Sequence, residues 1–269
     1  MRRALARVAA PAVLALTVAG AARAQVSPNR ATTYLVATDV TDARAIWVNP
    51  AGLATRPEAS VLLDLTVERP GGAGRLGQVT AGFNARGLAF AYQRDNFPNG
   101  VHGHTYKLGF ALGSGNLSGG IAMALYRGGN GGTGWDLGMR YDWVPQVTIG
   151  GVIQNLGQPT VRGIRQETAE KPAITFRPLG SILAVSVQAA FGSTIDRGYT
   201  LEASAGLPRS PNLGLLARLD TDRSLHRRAL VLGLSIGRQD RVGLVGSLPG
   251  DASRLDALSL YGVSTRTPR

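Results

Sequence analysis

The sequence predicts an all-β protein, a transmembrane antiparallel β-barrel of 12–14 strands preceded by an N-terminal plug segment. Three observations lead to this fold class. From residue 59 onward, apolar and polar residues alternate over stretches of 7–11 residues. The connections between these stretches are short and long in turn. The first 24 residues have the composition of an export signal.

Residues 1–24 are predicted to be a removable signal peptide. They carry three arginines within the first seven residues, an apolar stretch over residues 8–21, and the sequence Ala-Arg-Ala at the end. These are the basic, apolar and small-residue parts of a secretory signal. The mature chain is therefore expected to begin at Gln25, and an uncleaved membrane anchor is the alternative.

Residues 25–57 do not alternate and form the expected plug segment, with the barrel in residues 58–269. A proline restricts the residue before it to extended conformations, so Asn49 is expected to be extended. Pro50 then opens a short turn or helix, which Gly52 is expected to end. The residues predicted to form the plug or gate are Trp47, Asn49, Pro50 and Leu53. A surface turn before the first strand is the alternative.

The clearest strand covers residues 135–143, with only large apolar side chains on one face and Asp136, Gly138, Arg140 and Asp142 on the other. The alternation is least regular in 77–84, 172–178 and 240–247, so twelve strands is the lower bound. The fourteen predicted strands are 59–68, 77–84, 87–94, 104–112, 117–127, 134–143, 146–155, 172–178, 181–191, 198–207, 212–220, 228–237, 240–247 and 255–264.

The predicted connections alternate in length along the chain. The short ones are residues 85–86, 113–116, 144–145, 179–180, 208–211 and 238–239, and the longer ones are 69–76, 95–103, 128–133, 156–171, 192–197, 221–227 and 248–254. Outer-membrane barrels have short periplasmic turns and longer external loops. An even number of strands places both termini on the periplasmic side. A soluble, secreted β-sandwich or barrel is the alternative, but it has no reason to sort its loops in this way.

Composition agrees with a two-faced sheet and excludes several classes of protein. Of the 269 residues 17% are charged and 36 are glycine, and the mean hydropathy is +0.02. The absence of cysteine excludes a disulfide framework and thiolate metal sites. The net charge is +12, but four of the arginines lie in the signal peptide and the other basic residues are scattered. Nucleic acid is therefore not an expected partner.

The charged residues of the predicted strands fall on the polar face. In a barrel this face is the lumen, because an Arg or Lys side chain at mid-depth on the lipid face costs about 2–4 kcal/mol. Asp136, Arg140 and Glu202 are therefore predicted to line the lumen. Small inward-facing residues would leave room there or let a plug pack closely.

Two motifs resemble known outer-membrane proteins. Residues 42–54 read DARAIWVNPAGLA, similar to the N-terminal signature of the long-chain fatty-acid transporter (FadL-like) superfamily, which includes PorV/PorQ-type proteins. Residues 148–159 read TIGGVIQNLGQP, similar to a motif at the end of a middle strand in that group. The resemblance implies a fourteen-stranded barrel with its N-terminal segment folded inside the lumen. Members pass hydrophobic compounds inward or serve secretion and surface attachment.

On this resemblance, the expected function is passive uptake of small hydrophobic compounds across the outer membrane, without a cofactor or an energy source. The alternative is a non-transporting barrel that anchors a surface protein or serves a secretion system, which the polar residues of 95–103 and 156–171 favour. The expected partners are outer-membrane lipid and a small hydrophobic ligand or, under the alternative, a surface or secretion protein.

The sequence offers no argument for an enzyme or a metal protein. Residues 129–134 match the pattern G-x-G-x-x-G, but a strand follows where dinucleotide binding requires a helix. His102 and His104 lie in a loop without a third ligand nearby, which is too few for a defined metal site. No catalytic residue, metal site or cofactor is therefore predicted.

Overall fold

The structure is a computed structural model, and it describes residues 29–56, 58–70, 73–192, 198–207 and 210–267. The predicted signal peptide, residues 1–24, lies outside these residues. Fourteen antiparallel strands close into one barrel, and two further strands form a separate hairpin. The strands are β1 Ala59–Glu68, β2 Arg75–Ala85, β3 Leu88–Asn96, β4 His102–Ser114, β5 Leu117–Gly128, β6 Gly132–Val144, β7 Val147–Leu156, β8 Thr160–Val161, β9 Ile164–Arg165, β10 Ala169–Phe176, β11 Leu183–Ala190, β12 Gly198–Leu207, β13 Ser210–Asp222, β14 Arg227–Ile236, β15 Asp240–Pro249 and β16 Ala257–Arg266.

Pairing between the first and last strands closes the barrel. β1 pairs with β16 from Ala59, opposite Arg266, to Glu68, opposite Ala257. Closure removes the unpaired edges that an open sheet would expose to lipid. The prediction of an all-β barrel is confirmed at the upper limit of its strand count. The three least regular predicted strands are present as β2, β10 and β15.

The two faces of the wall differ in the predicted way. On β1 the side chain of Val61 is 58% exposed, while that of Asp64 is 0% exposed. The exposed outer face carries large apolar side chains on nearly every strand, including Leu108, Leu137 and Leu201. The inner face is mostly small or polar, with exceptions that include Leu62, Tyr126 and Tyr261. This arrangement suits a wall that contacts hydrocarbon outside and polar groups inside.

Both chain ends of the barrel lie at the end with short turns, which we call the turn end; the opposite end is the loop end. At the turn end, residues 86–87 join β2 to β3 and residues 145–146 join β6 to β7. One predicted short turn, residues 179–180, is wrong: β10 stops at Phe176 and β11 starts at Leu183. Pro178 has no amide hydrogen to continue the ladder, so the chain turns over residues 177–182 instead.

The longest loop contains a hairpin that the alternation pattern did not predict. Within predicted connection 156–171, β8 pairs with β9, with Val161 opposite Ile164. Arg162 and Gly163 between them have positive φ of 53° and 74°, as a two-residue hairpin turn requires. Strands of two residues are too short to give a recognisable alternation.

The segment before the barrel consists of three short helical pieces, η1 Arg30–Thr32, α1 Ala45–Val48 and η2 Pro50–Ala54, of which η1 and η2 are 3₁₀ turns. Asn49 is extended, with φ −153° and ψ 106°, as predicted for a residue before proline. The expectation that Gly52 ends this turn is wrong. A methyl group at Gly52 would collide with the Val40 carbonyl oxygen, so glycine serves close packing there. None of the helices among the described residues is long and apolar enough to cross a membrane.

A charged residue on the outer face should destabilise the barrel more near the middle of a strand than near its end. Leu137 lies near the middle of β6 and is 40% exposed, whereas Leu112 lies near the turn end of β4 and is 68% exposed. We expect Leu137→Arg to lower the free energy of unfolding by about 2–4 kcal/mol and Leu112→Arg by about 0–1 kcal/mol. Urea unfolding in lipid vesicles measures both values. Equal losses at the two sites would contradict the assigned membrane-facing wall.

Candidate functional site in the barrel interior

Residues 29–56, which we call the N-terminal segment, contact inward-facing side chains around the barrel. Its hydrogen bonds reach strands from β1 to β13, so the segment lies in the barrel interior. Polar side chains of the wall form hydrogen bonds with residues of the segment. The pairs, with the wall residue first, are Thr80–Asn29, Gln93–Asn29, Gln78–Arg30, Gln188–Ala37, Thr175–Thr38 and Ser60–Ala43. These partners belong to the polar face of the wall.

Three inward-facing cations bind backbone carbonyl oxygens of the segment. Lys107 Nζ on β4 donates to Ile46 O at 3.0 Å. Arg140 Nη1 on β6 donates to Thr38 O at 2.7 Å, and Arg218 Nη1 on β13 donates to Leu35 O at 3.0 Å. A short segment with few internal hydrogen bonds leaves carbonyl groups unpaired, and the wall supplies the donors.

Asn49 joins two parts of the segment to the wall. Its side chain is fully buried. Oδ1 accepts from Ala51 N at 3.1 Å and caps η2, while Nδ2 donates to Ala37 O at 2.9 Å and to Met139 O at 3.3 Å. One amide side chain thus fixes the start of η2, the preceding loop and strand β6.

Small residues on the wall allow the segment to approach closely. A methyl group at Gly120 would lie 2.5 Å from the Pro50 carbonyl carbon, and one at Gly138 would collide with the Asn49 side chain. A methyl group at Gly109 would lie 3.0 Å from Leu53 Cδ1. Three of the four residues predicted for the plug, Asn49, Pro50 and Leu53, are therefore seated on glycines of β4, β5 and β6.

Trp47, the fourth residue predicted for the plug, packs beside a buried ion pair. Lys107 Nζ lies 5.0 Å from the Trp47 ring centroid and 2.5 Å from Asp136 Oδ2. Asp136 Oδ1 accepts from Asn155 N at 2.9 Å, so both carboxylate oxygens are bonded. The contact of a cation with the face of an indole ring is attractive, and it places Trp47 next to Asp136.

The predicted lumen residues Asp136, Arg140 and Glu202 all face inward, but they do not come together. Asp136 and Arg140 lie on β6 beside the N-terminal segment, where Arg140 also pairs with Asp142 at 3.0 Å. Glu202 lies on β12, the fourth strand from β6 in the barrel, and is 1% exposed. Its Oε2 atom has no hydrogen-bond partner among the described residues.

A second buried cluster joins the segment to β16, and the sequence analysis did not single it out. Arg44 donates from Nε and Nη2 to the Asp42 carboxylate at 2.8 and 2.6 Å, and from Nη1 to Tyr34 Oη at 2.9 Å. The Tyr261 ring centroid lies 5.3 Å from the guanidinium. Burial alone raises the pKa of Asp42, but Arg44 outweighs it and holds that pKa below its ordinary value. The close sequence spacing of Asp42 and Arg44 was the available signal.

A third cluster lies at the loop end and was also not predicted. Arg162, at the turn of the β8–β9 hairpin, pairs with Glu68 at 2.8 Å and with Asp95 at 3.0 Å. Arg30 of the segment reaches the same Glu68 at 3.3 Å. The hairpin therefore folds inward over the rim, and its arginine shares a carboxylate with the N-terminal segment.

Two cavities adjoin the segment. The loop-side cavity, of about 270 Å³, borders Trp47 and Leu35, and six charged side chains line it among the described residues: Lys107, Asp136, Lys171, Arg218, Asp220 and Arg228. The turn-side cavity, of about 650 Å³, borders Leu35, Arg44 and Tyr261. Its lining combines small and leucine residues of β12–β14 with charged side chains that include Asp39, Glu58 and Arg241. Most residues that line the loop-side cavity are polar or charged, whereas a pocket for a hydrophobic ligand usually has few polar groups.

The closed fourteen-stranded wall with an apolar exterior defines this chain as a transmembrane β-barrel of the outer membrane. Among solved structures, it is similar to the Acinetobacter baumannii outer membrane protein Omp33, with 10% identity and a TM-score of 0.50, over 78% of this chain and 99% of that one. Variants of the Rhodopseudomonas blastica porin match over the same shares, with 7–8% identity and TM-scores of 0.45–0.46. No protein-family model and no curated protein matches the sequence.

The contacts of Asn49 predict that this residue holds the segment in place. We expect Asn49→Ala to destabilise the segment by about 1–3 kcal/mol, because it removes a helix cap and leaves buried carbonyl groups unpaired. Amide hydrogen exchange in residues 45–54 should then become faster. Asn99→Ala is the matched control, since Asn99 only accepts a bond from Val101 N in an exposed turn. Unchanged exchange in the Asn49 variant would contradict the assigned role.

Proposed function

We propose that this protein is a plugged diffusion channel of the outer membrane, with the N-terminal segment as the plug. One observation carries the proposal: cations on β4, β6 and β13 bind backbone carbonyls of the segment from different sides of the barrel. A segment held from several sides lies across the lumen and obstructs it. Trp47, Asn49, Pro50 and Leu53 are the residues through which the plug contacts β4–β7.

The plug depends on the wall for its structure. Its longest helical piece has five residues, whereas isolated helices shorter than about 12–15 residues are marginal in water. Hydrogen bonds that involve a charged group contribute about 1.5–3 kcal/mol each. Loss of one or two such bonds is expected to loosen the part of the segment that they hold while the barrel stays folded, which is what a gated channel requires.

Two observations bear on the class of permeant, and they favour different solutes. The resemblance to the fatty-acid transporter superfamily implies small hydrophobic compounds taken up passively. The charged lining of the loop-side cavity favours small polar or amphiphilic solutes over long hydrocarbon chains. We propose that small polar and amphiphilic solutes are the main permeants, and that hydrophobic compounds pass only if they carry a polar group.

The second candidate is a non-transporting barrel that anchors a surface protein or serves a secretion system. The observation that favours it is the inward-folded β8–β9 hairpin, which ties the loop end to the segment through Glu68. A stoichiometric protein partner in pull-downs from outer membranes, together with an impermeable barrel, would favour this candidate.

If the segment plugs the channel, a bulky residue at a wall position where the segment packs should increase permeability. We expect liposomes with a Gly120→Leu variant to swell several-fold faster in arabinose than those with the natural protein, because a side chain there collides with Pro50. Deletion of residues 29–56 should increase swelling further. Gly262→Leu is the matched control, since nothing lies within 4 Å of a methyl group at that position.

Heat-modifiable migration on gels checks that each variant has formed a barrel. If the deletion variant forms a barrel and its swelling rate equals that of the natural protein, the plug and channel proposal is wrong.

A further inference from the structure

The interior is filled unevenly. On β4, β5 and β6 the segment packs so closely that methyl groups at Gly109, Gly120 and Gly138 would press against it. Across the barrel on β12, a methyl group at Gly206 would meet no atom within 4 Å. The segment therefore packs more tightly against these positions of β4–β6 than against the position of Gly206 on β12.

Both cavities border β12, and the loop-side cavity extends from there to Lys107 on β4 and Asp136 on β6. The loop-side cavity reaches Thr200 on β12, and the turn-side cavity reaches Ser204 on the same strand. These two residues are about 13 Å apart along a strand, and Glu202 is the only inward-facing residue between them. The partition between the cavities is therefore a single layer of side chains.

The segment completes this partition from the other side. Leu35 lines both cavities, whereas Arg218 lines the loop-side cavity and Leu216 the turn-side cavity. The bond from Arg218 Nη1 to Leu35 O, at 3.0 Å, holds the segment against β13 at this level. It closes the layer that separates the two cavities.

Glu202 offers Arg218 a second acceptor. The register of β12 and β13 places Glu202 directly opposite Arg218, where Cβ atoms are about 4.5–5.5 Å apart. Yet the Arg218 guanidinium donates to Leu35, Thr200 and Asp220, and Glu202 Oε2 is buried without a donor among the described residues. A buried carboxylate oxygen without a donor is unfavourable. A shift of the guanidinium onto Glu202 would satisfy this oxygen and release Leu35.

We infer that Leu35, Glu202 and Arg218 form the gate of the channel, and that it opens when Arg218 exchanges the Leu35 carbonyl for the Glu202 carboxylate. The two cavities then join into one path along β12 and β13. The solutes that fit this path are small and polar, because they pass between the Arg218–Glu202 pair on the wall and the backbone of Leu35 on the segment. This inference rests on the proposed channel function.

The test is conductance of the full-length protein in planar bilayers with potassium chloride. Arg218→Gln loses the bond to Leu35, so we expect its open probability to rise about tenfold, as loss of one charge-assisted bond implies. Glu202→Gln weakens the open state, so its open probability should fall. The double variant should behave like Arg218→Gln. Arg223→Gln removes the same charge from an exposed loop and is the matched control.

Thiol labelling gives a second measurement that does not depend on conductance. The chain has no cysteine, so a single Leu35→Cys reports access to the partition through its reaction with a charged thiol reagent. Labelling should be slow in the otherwise natural protein, faster with Arg218→Gln and slower still with Glu202→Gln.

A variant without residues 29–56 distinguishes failure of the gate inference from failure of the channel proposal. If the deletion variant conducts while Arg218→Gln and Glu202→Gln match the natural protein in conductance and in labelling, the gate is wrong and the channel stands. If the deletion variant forms a barrel that does not conduct, both proposals are wrong. Opposite shifts in the two single variants support the gate.

Discussion

The bonds from inward-facing cations to backbone carbonyls of the N-terminal segment are the interaction on which the interior depends. Lys107, Arg140 and Arg218 lie on three strands and donate hydrogen bonds to carbonyl groups of the segment, two of which lie outside its short helical pieces. A charged side chain inside a barrel needs a partner as much as the segment needs donors. The carbonyl groups accept from the buried cations and the cations satisfy the carbonyl groups, so the wall and the segment stabilise each other.

The outer half of the structure was predictable from the sequence because it follows a local rule. Within each strand, apolar side chains that face lipid alternate with polar or small side chains that face the lumen. All fourteen predicted strands occur in the barrel. The predicted strand bounds were wrong where backbone geometry or a very short strand outweighs the alternation of side chains. Pro178 ended β10 early by lacking an amide hydrogen, and the β8–β9 hairpin was too short to alternate.

The interior was predictable only in part because its contacts join distant parts of the chain. The alternation indicated that Asp136, Arg140 and Glu202 face inward, but not which groups they meet. The pairing of Arg162 with Glu68 and Asp95 depends on where a long loop folds, which strand periodicity does not report. Gly52 was misread for the same reason: its neighbour is Val40, brought close by tertiary packing.

The spread of the segment's partners around the wall has a consequence for assembly. Residues 29–56 are synthesised before the barrel strands, yet their hydrogen bonds end on strands from β1 to β13. Contacts across such separations form late, since the intervening chain must be ordered before they are gained. The segment is therefore expected to settle only when the barrel is nearly complete. Until then the segment remains unfolded and accessible to chaperones and proteases.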